Sequence, residues 1–427
     1  MFFYRRKRLA FVVGMLKSAN QVLPTIPILL LIGAVSSTWI LSGVVPILIY
    51  YGLQMLSPDL FLFVACFMCS AISLLSGSSW TTVATIGVAF MGIGTVMGYG
   101  EGWIAGAIIS GAYFGDKVSP LSDTTVLAAS TCNVSLFTHI RYMMLTTAPA
   151  LIIALSIYAI VGLALPMSEV SDMSEILNCL GATFNLSPLV LTIPLLTCVL
   201  LAFRFNTLST LAMSALAGLC GMFLFQPQIV SILSGADGSS LGSIVTALQV
   251  LMGSTALETH HDLLNALVVT RGMAGMLPTI YLVLSAMIFG GAMMGSGMLS
   301  TITHSFNRHL RSMRNIVATT VASGLMLNAC TGDQYLSIIL DGNIYRNLYR
   351  RNGLESRLLS RTVEDSVSVT SVLIPWTSCG MTQSTVLGVA TIVYMPYCFF
   401  NILCPIMALI MAWTGYRIYC RQSTKSR

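Results

Sequence analysis

Between Gly115 and Thr125 the chain sets two carboxylates, Asp116 and Asp123, among the hydroxyls of Ser119, Ser122, Thr124 and Thr125. Pro120 lies in the middle of this stretch. It has no backbone N–H to give and disrupts a helix, so carbonyls that would be paired become free. Carboxylates, hydroxyls and free carbonyls are the hard oxygen ligands that a small, hard cation prefers. A carboxyl in a low-dielectric setting also takes up a proton more readily than one in water. One acid could then hold either a proton or a sodium ion, and that competition is the simplest basis for exchanging them. The plainer alternative is that Asp116 and Lys117 form an ion pair in a loop at the cytoplasmic surface. An acid inside an apolar span is a functional candidate by default, so Asp116, Ser119, Asp123, Thr124 and Thr125 are taken as ion-binding candidates.

Three further polar breaks have similar chemistry. Ser76 to Thr82 offers Ser78, Ser79 and Thr81, although a helix interface made of small residues would look the same. Thr331-Gly332-Asp333-Gln334 supplies an acid, and Thr370-Ser371 is followed by Pro375-Trp376-Thr377-Ser378. Asp333, Ser371, Trp376, Thr377 and Ser378 join the candidate ligands, and Asp116, Asp123, Asp333 and Asp365 are the candidate proton carriers. Asp333 is expected to lie inside. Glu364 and Asp365 follow a basic run, so a solvated face is the alternative reading for that pair.

Other clusters read as structure. Glu258, His260, His261 and Asp262 match no metal motif, and no HExxH is present. Asp341-Gly342-Asn343 reads as turn chemistry. Cys66 and Cys69 form a lone CxxC in apolar sequence, where a thiol packs as a small hydrophobe. No resident cofactor or structural metal is expected. An intramembrane aspartyl enzyme built on Asp116 and Asp333 is conceivable, but the hydroxyl-rich breaks and the repeat described below point to a carrier.

These groups sit in a chain of 427 residues with 56% apolar and 8% charged residues and a mean hydropathy of +0.84. Soluble domains carry about 25% charged residues, so the expected solvent is a lipid bilayer. Spans of roughly 20 apolar residues are expected at 20–41, 59–76, 83–98, 102–114, 137–165, 187–203, 207–225, 274–299, 316–328, 335–345 and 388–416. Region 242–270 is mixed and is not placed. The fold class is therefore an all-α integral membrane protein with about ten to twelve spanning segments, including broken helices and re-entrant hairpins. Glycines such as Gly87, Gly92, Gly94, Gly290 and Gly291 would let helices approach closely. Basic clusters at Arg5–Arg8 and Arg417–Arg427 place both termini in the cytoplasm. Segments 42–58 and 166–175 lack Lys and Arg and are expected outside. The basic residues border apolar runs rather than forming one face, which argues against nucleic acid as a partner. A homodimer is compatible with the sequence, which determines no oligomeric state.

The chain also resembles itself. Leu23-Pro24-Thr25-Ile26 recurs as Leu277-Pro278-Thr279-Ile280, and Ser119 to Thr125 aligns with Ser371 to Thr377, at offsets of 254 and 252. The polar break Gly77–Thr82 falls opposite Ala329–Gln334. Charge then sets direction: segment 42–58 has no base, whereas Arg308, Arg311 and Arg314 occupy the corresponding place in the second half. The expected organisation is a first repeat at 20–165, connecting membrane segments at 166–273, a second repeat of opposite orientation at 274–417, and a basic cytoplasmic tail at 418–427. Inverted repeats with interrupted helices are the architecture of secondary transporters, which bind near the midplane where the halves meet.

The stretches Gly77–Thr82, Ile108 to Thr125, Phe137–Arg141, Thr331–Tyr335, Leu359–Asp365 and Ile374–Gly380 together resemble the NhaC-type sodium/proton antiporter family within the wider ion-transporter group. The resemblance implies sodium-coupled antiport in the bacterial inner membrane by a multi-pass helical carrier with sodium ions and protons as its cargo. It matches Asp116, Asp123 and Asp333 to the family's acids, and Ser119, Thr124, Thr125, Thr377 and Ser378 to its hydroxyl positions. It also admits carriers of malate, lactate or amino acids, for which half-helix N-termini could hold a carboxylate. By the same resemblance the chain begins short of the family's usual first helices, and Val372 and Asp341 stand where the family has proline.

Overall fold

The computed structural model describes residues 2–164, 173–203, 205–234, 240–259, 264–265, 268–298 and 312–418. Within them the secondary structure is helical except for one isolated bridge, in which Thr255 and Thr270 exchange backbone hydrogen bonds of 3.1 and 2.9 Å. Six helices are long and apolar enough to cross a membrane: Phe11–Leu41, Pro58–Ser76, Ser79–Val96, Leu136–Ala164, Thr207–Phe225 and Met273–Gly295. Two bent pairs, Glu175–Thr183 with Pro188–Ala202 and Thr391–Tyr397 with Phe399–Thr414, turn by 83° and 55° and bring the number to eight if each is one span. Further helices at Glu101–Val118, Met313–Thr331 and Gln334–Arg351 have 18, 19 and 18 residues and carry polar groups of the breaks. The chain is an all-α, multi-pass membrane protein.

Most expected spans appear within a few residues of their predicted ends, but two regions differ. Segment 42–58, expected as an outer connection, contains the Val44–Met55 helix, whose Val44, Val45, Ile47 and Ile49 are buried. Its lack of charge reflects packing rather than a loop. The residues ahead of Leu23 form the Phe2–Val22 helix, which lies against Leu277–Gly295. A Cβ on Gly14 would come within 2.5 Å of the Gly291 carbonyl oxygen, so these backbones meet through glycine. Region 240–270 resolves into the Ser240–Met252 helix followed by the Thr255–Thr270 bridge. Arg204, Glu169, Asp172, His260, His261, Asp262, Arg308, Arg311 and residues 419–427 lie outside the described residues.

Small residues determine where the Glu101–Val118 helix sits. A Cβ on Gly111 would lie 2.1 Å from the Cys66 carbonyl oxygen, and one on Gly115 would lie 2.3 Å from the Leu74 nitrogen. Phe61–Ser76 therefore packs backbone to backbone along this stripe, with Cys66 and Cys69 fully buried in the core, as packing thiols. Replacing Gly115 by alanine meets backbone atoms that cannot rotate away. Overpacking of this kind costs about 1–3 kcal/mol, and a lowered thermal unfolding midpoint in detergent is the expected result. An unchanged midpoint would show that the two helices can separate at no cost.

The breaks arise locally. Phe61–Ser76 ends on Gly77 at φ 67°, and Met313–Thr331 ends on Gly332 at φ 71°, the left-handed conformation that glycine adopts without strain. The next residue in each case, Ser78 or Asp333, is extended and caps a new helix. The Ser78 hydroxyl accepts from Thr81 N–H at 3.3 Å, and the Asp333 carboxylate accepts from Leu336 N–H at 2.9 Å. The second pair of breaks leads to Ser122 and Thr377, each extended just before a helix restarts. Gly77 and Gly332, Ser78 and Asp333, and Ser122 and Thr377 are each separated by 255 positions.

Candidate ion-binding site

The first two breaks converge on Asp116. Ser119 is extended at φ −68°, ψ 133°, as expected for a residue before proline, so the Glu101–Val118 helix stops one turn after Asp116. The helix that follows restarts at Asp123 with Ser122 in the capping position, yet the Ser122 hydroxyl makes no capping bond to the backbone. It donates to Asp116 Oδ1 at 2.6 Å instead. Asp116 Oδ2 accepts from the Ser79 hydroxyl at 2.6 Å and from the Ser79 backbone N–H at 3.2 Å. Asp116 therefore receives three donors and no cation. Its neighbour Lys117 turns away from it. The Phe61–Ser76 and Glu101–Val118 helices both end here, and the unpaired carbonyls of helix C-termini carry partial negative charge that favours cations.

A cavity of about 100 Å³ opens beside Asp116, lined by Ser76, Ser78, Asp123 and Thr124 from the first half and by Gln334 and Tyr335 from the second. A water needs about 10–15 Å³ by the same measure, so the space suits an ion with several waters. A second cavity of about 340 Å³ shares Asp123, Trp80 and Tyr335 with it and reaches Asp333 and Ser378. No Lys or Arg lines either cavity among the described residues. Tyr335 lines both cavities, beside Asp116 and Asp123 in the first and beside Asp123 and Asp333 in the second.

The remaining candidates divide by role. Asp123 is exposed and lines both cavities. Asp333 Oδ2 accepts from the Ser378 hydroxyl at 3.4 Å, and Ser378 N–H donates to the Gly332 carbonyl at 2.8 Å, tying the two second-half breaks together. Thr81 donates to Ser78 at 3.1 Å. Other hydroxyls are spent on shaping the breaks. Thr125 donates to the Lys117 carbonyl at 2.8 Å, Ser119 accepts from Leu121 N–H at 3.3 Å, and Thr377 donates to the Ser371 carbonyl at 2.5 Å. Ser371 reaches Gln334 Oε1 at 3.2 Å. Trp376 is 53% exposed and donates through its indole nitrogen to the Ala329 carbonyl at 2.7 Å.

Residues 111–416 match the Na+/H+ antiporter family. The chain belongs to that family. An Na+/H+ antiporter NhaC from Alkalihalophilus pseudofirmus is 35% identical over 400 residues, covering 94% of this chain and 84% of that protein. The arginine/ornithine antiporter ArcD of Halobacterium salinarum is 35% identical, with 97% and 83% covered. The malate-2H+/Na+-lactate antiporter of Bacillus subtilis is 34% identical, with 97% and 86% covered. Three of the four breaks of this antiporter lie within the matched region, as do the acids Asp116, Asp123 and Asp333, while the Ser76–Thr82 break precedes it.

Three readings of the antiporter sequence are corrected by the structure. Lys117 does not pair with Asp116 in a surface loop. It is 2% exposed and bonds Asp365, 248 positions away. Glu364 and Asp365 are not a solvated face, since both are fully buried. Asp365 also accepts from the Thr146 hydroxyl at 3.1 Å and faces Arg361 Nε at 3.8 Å, so it belongs to a buried ion cluster rather than to the cavity. Asp341 is not in a turn. It is buried inside the Gln334–Arg351 helix and accepts from the Ser323 hydroxyl at 2.8 Å. The signal available in sequence was Lys117 itself, a base at the end of an apolar span that must be paired with an acid if it is buried. Tyr335 followed the Gly-Asp-Gln break and carried no chemical signal beyond that.

Proposed function

We propose that this antiporter exchanges sodium ions for protons across the bacterial plasma membrane by alternating access, with the Asp116 carboxylate as the cation site. The observation that carries the reading is an acid held by three donors, at the meeting point of two helix ends, in a cavity to which both halves contribute. Such a carboxylate has its hydrogen-bond geometry satisfied but its charge unneutralised, which leaves it open to sodium or a proton. Asp123 stands at the junction of the two cavities, where an entering cation passes it. The matched breaks, 255 positions apart, support two repeats at 20–165 and 274–417 with segments 166–273 between them, and the distribution of Lys and Arg supports their inversion and cytoplasmic termini. Rocking of one half against the other would expose the site to alternate sides.

The relatives named for malate, lactate, arginine and ornithine supply a competing reading. A cavity lined by acids and no base favours cationic cargo over a carboxylate. Purified protein in liposomes with an internal pH dye tests both. Added sodium should drive proton flux, and malate, lactate, arginine and ornithine should not; flux driven only by one of the organic solutes would replace the sodium reading. Asp123→Asn should retain exchange with a raised sodium requirement, because it removes a charge from the approach. Wild-type sodium dependence in this variant would remove Asp123 from the pathway.

A further inference from the structure

Glu364 is the acid that the site does not use. Its side chain is fully buried, and neither carboxylate oxygen has a hydrogen-bond partner. It begins the π-helical turn Glu364–Ser368, a backbone form frequent at functional sites. The hydroxyls of Thr124 and Ser368 are its polar neighbours, and Lys117 and Asp116 are the charges that act on it from the Glu101–Val118 helix. The Cys132 thiol, at the end of Asp123–Thr131, is under the electrostatic influence of Glu364, of Asp341 and of Arg346. Lys117 and Arg361 are both engaged with Asp365. Glu364 thus has no cation of its own. An isolated carboxylate out of water is so costly that the group is carried neutral, with its proton on.

A donor inventory connects this proton to the sodium site. Ser122 has one hydroxyl hydrogen and spends it on Asp116. The 3.0 Å contact between Ser122 and Thr124 must then be donated by Thr124. Thr124 is left with only lone pairs to offer, and toward Glu364 those lone pairs suit a protonated acid and oppose an ionised one. The hydroxyls point in series from Thr124 through Ser122 to Asp116, with Glu364 beyond Thr124.

We infer that Glu364 carries the exchanged proton and that Thr124 and Ser122 relay it to Asp116. The inference rests on the antiport reading and names the proton site within it. The Glu364 O–H bond breaks as Thr124 accepts the proton and passes its own hydrogen to Ser122. Ser122 passes its hydrogen to Asp116, and arriving sodium displaces that proton from Asp116 into cavity water. Before the step the two acids hold one proton, and after it they hold one sodium ion. The net charge of the pair is the same in both states: sodium neutralises Asp116, whose charge acts on Glu364, and the negative charge passes to Glu364 under the influence of Lys117.

The test uses full-length protein in liposomes and two readouts. Glu364→Gln keeps the shape of the side chain. It should reduce uptake of radioactive sodium driven by a pH gradient to the protein-free background, while sodium-for-sodium exchange persists. Thr124→Val should slow the pH-driven flux and Thr124→Ser should restore it. Independently, infrared spectra at neutral pH should show the carbonyl stretch of a protonated carboxylic acid that is missing in Glu364→Gln and present in Asp341→Asn. Intact pH-driven uptake in Glu364→Gln overturns the inference, and so does an infrared band that survives the substitution. If the wild type moves no sodium, the antiport reading fails and proton carriage fails with it; the infrared band then shows whether Glu364 is nonetheless protonated.

Discussion

Asp116→Asn is expected to abolish sodium-driven proton flux while leaving the protein folded. The asparagine carbonyl can still accept from the Ser79 N–H and hydroxyl, and the Ser122 hydroxyl can rotate to accept from the new amide. The backbone between the two breaks therefore keeps its supports. The formal negative charge is lost, and no other acid touches the same donors. A charge-assisted contact is worth about 1.5–3 kcal/mol, which corresponds to roughly a 10- to 100-fold loss of sodium affinity. The proton site on that carboxyl disappears as well, so coupling is lost even at saturating sodium. The check is proton flux from liposomes across a sodium titration, beside a thermal unfolding curve for the same sample. Wild-type sodium dependence in a stable Asp116→Asn protein would remove Asp116 from the mechanism.

Lys117→Met should have the opposite profile, a large loss of stability. Lys117 and Asp365 are an ion pair with relative exposures of 1% and 0%. Only Arg361, at 3.8 Å, and the Thr146 hydroxyl, at 3.1 Å, would remain near the abandoned carboxylate. Removing one member of a buried pair costs about 3–5 kcal/mol, because the other charge is left in low dielectric. Arg361 has other support, with its guanidinium 4.9 Å from the centre of the Tyr142 ring. Adding Asp365→Asn to Lys117→Met should therefore recover much of the lost stability. Size-exclusion behaviour and unfolding midpoints in detergent measure both variants. A Lys117→Met protein as stable as the wild type would show that the pair does not hold the two halves together.

Legibility in the sequence followed the range of the forces involved. The helix ends at Gly77, Gly332 and Pro120 could be read because their causes act within a few residues: a left-handed φ at Gly77 and Gly332, and a missing donor at Pro120. The capping positions Ser78, Asp333 and Thr377 follow from the same local chemistry. Asp116 was legible as a site because an acid beside a break in apolar sequence has few structural uses. Glu364 was not singled out because the basic run before it left a solvated face open as an alternative. Burial of a helix face is decided by what packs on it, and here that is Met313–Thr331, Gln334–Arg351 and Phe399–Thr414, joined by Asp123–Thr131 from the first half. The Val44–Met55 helix was missed for a related reason, since absence of charge marks an outer loop and a packed helix equally well.

The amino-acid sequence alone determined that this protein lives in lipid, where its helices stop, and which acids lie at those stops, because hydropathy and capping are properties of short stretches. The tertiary structure decided that Lys117 belongs to Asp365, that Ser122 serves Asp116 instead of its own helix, and that Glu364 is left alone in the dark of the bundle. The Lys117–Asp365 pair meets across 248 residues, and Ser122 reaches back to an Asp116 that Ser79 holds from 37 residues away. In a medium without water, each polar group must find its partner from whatever the packing of the bundle brings within reach.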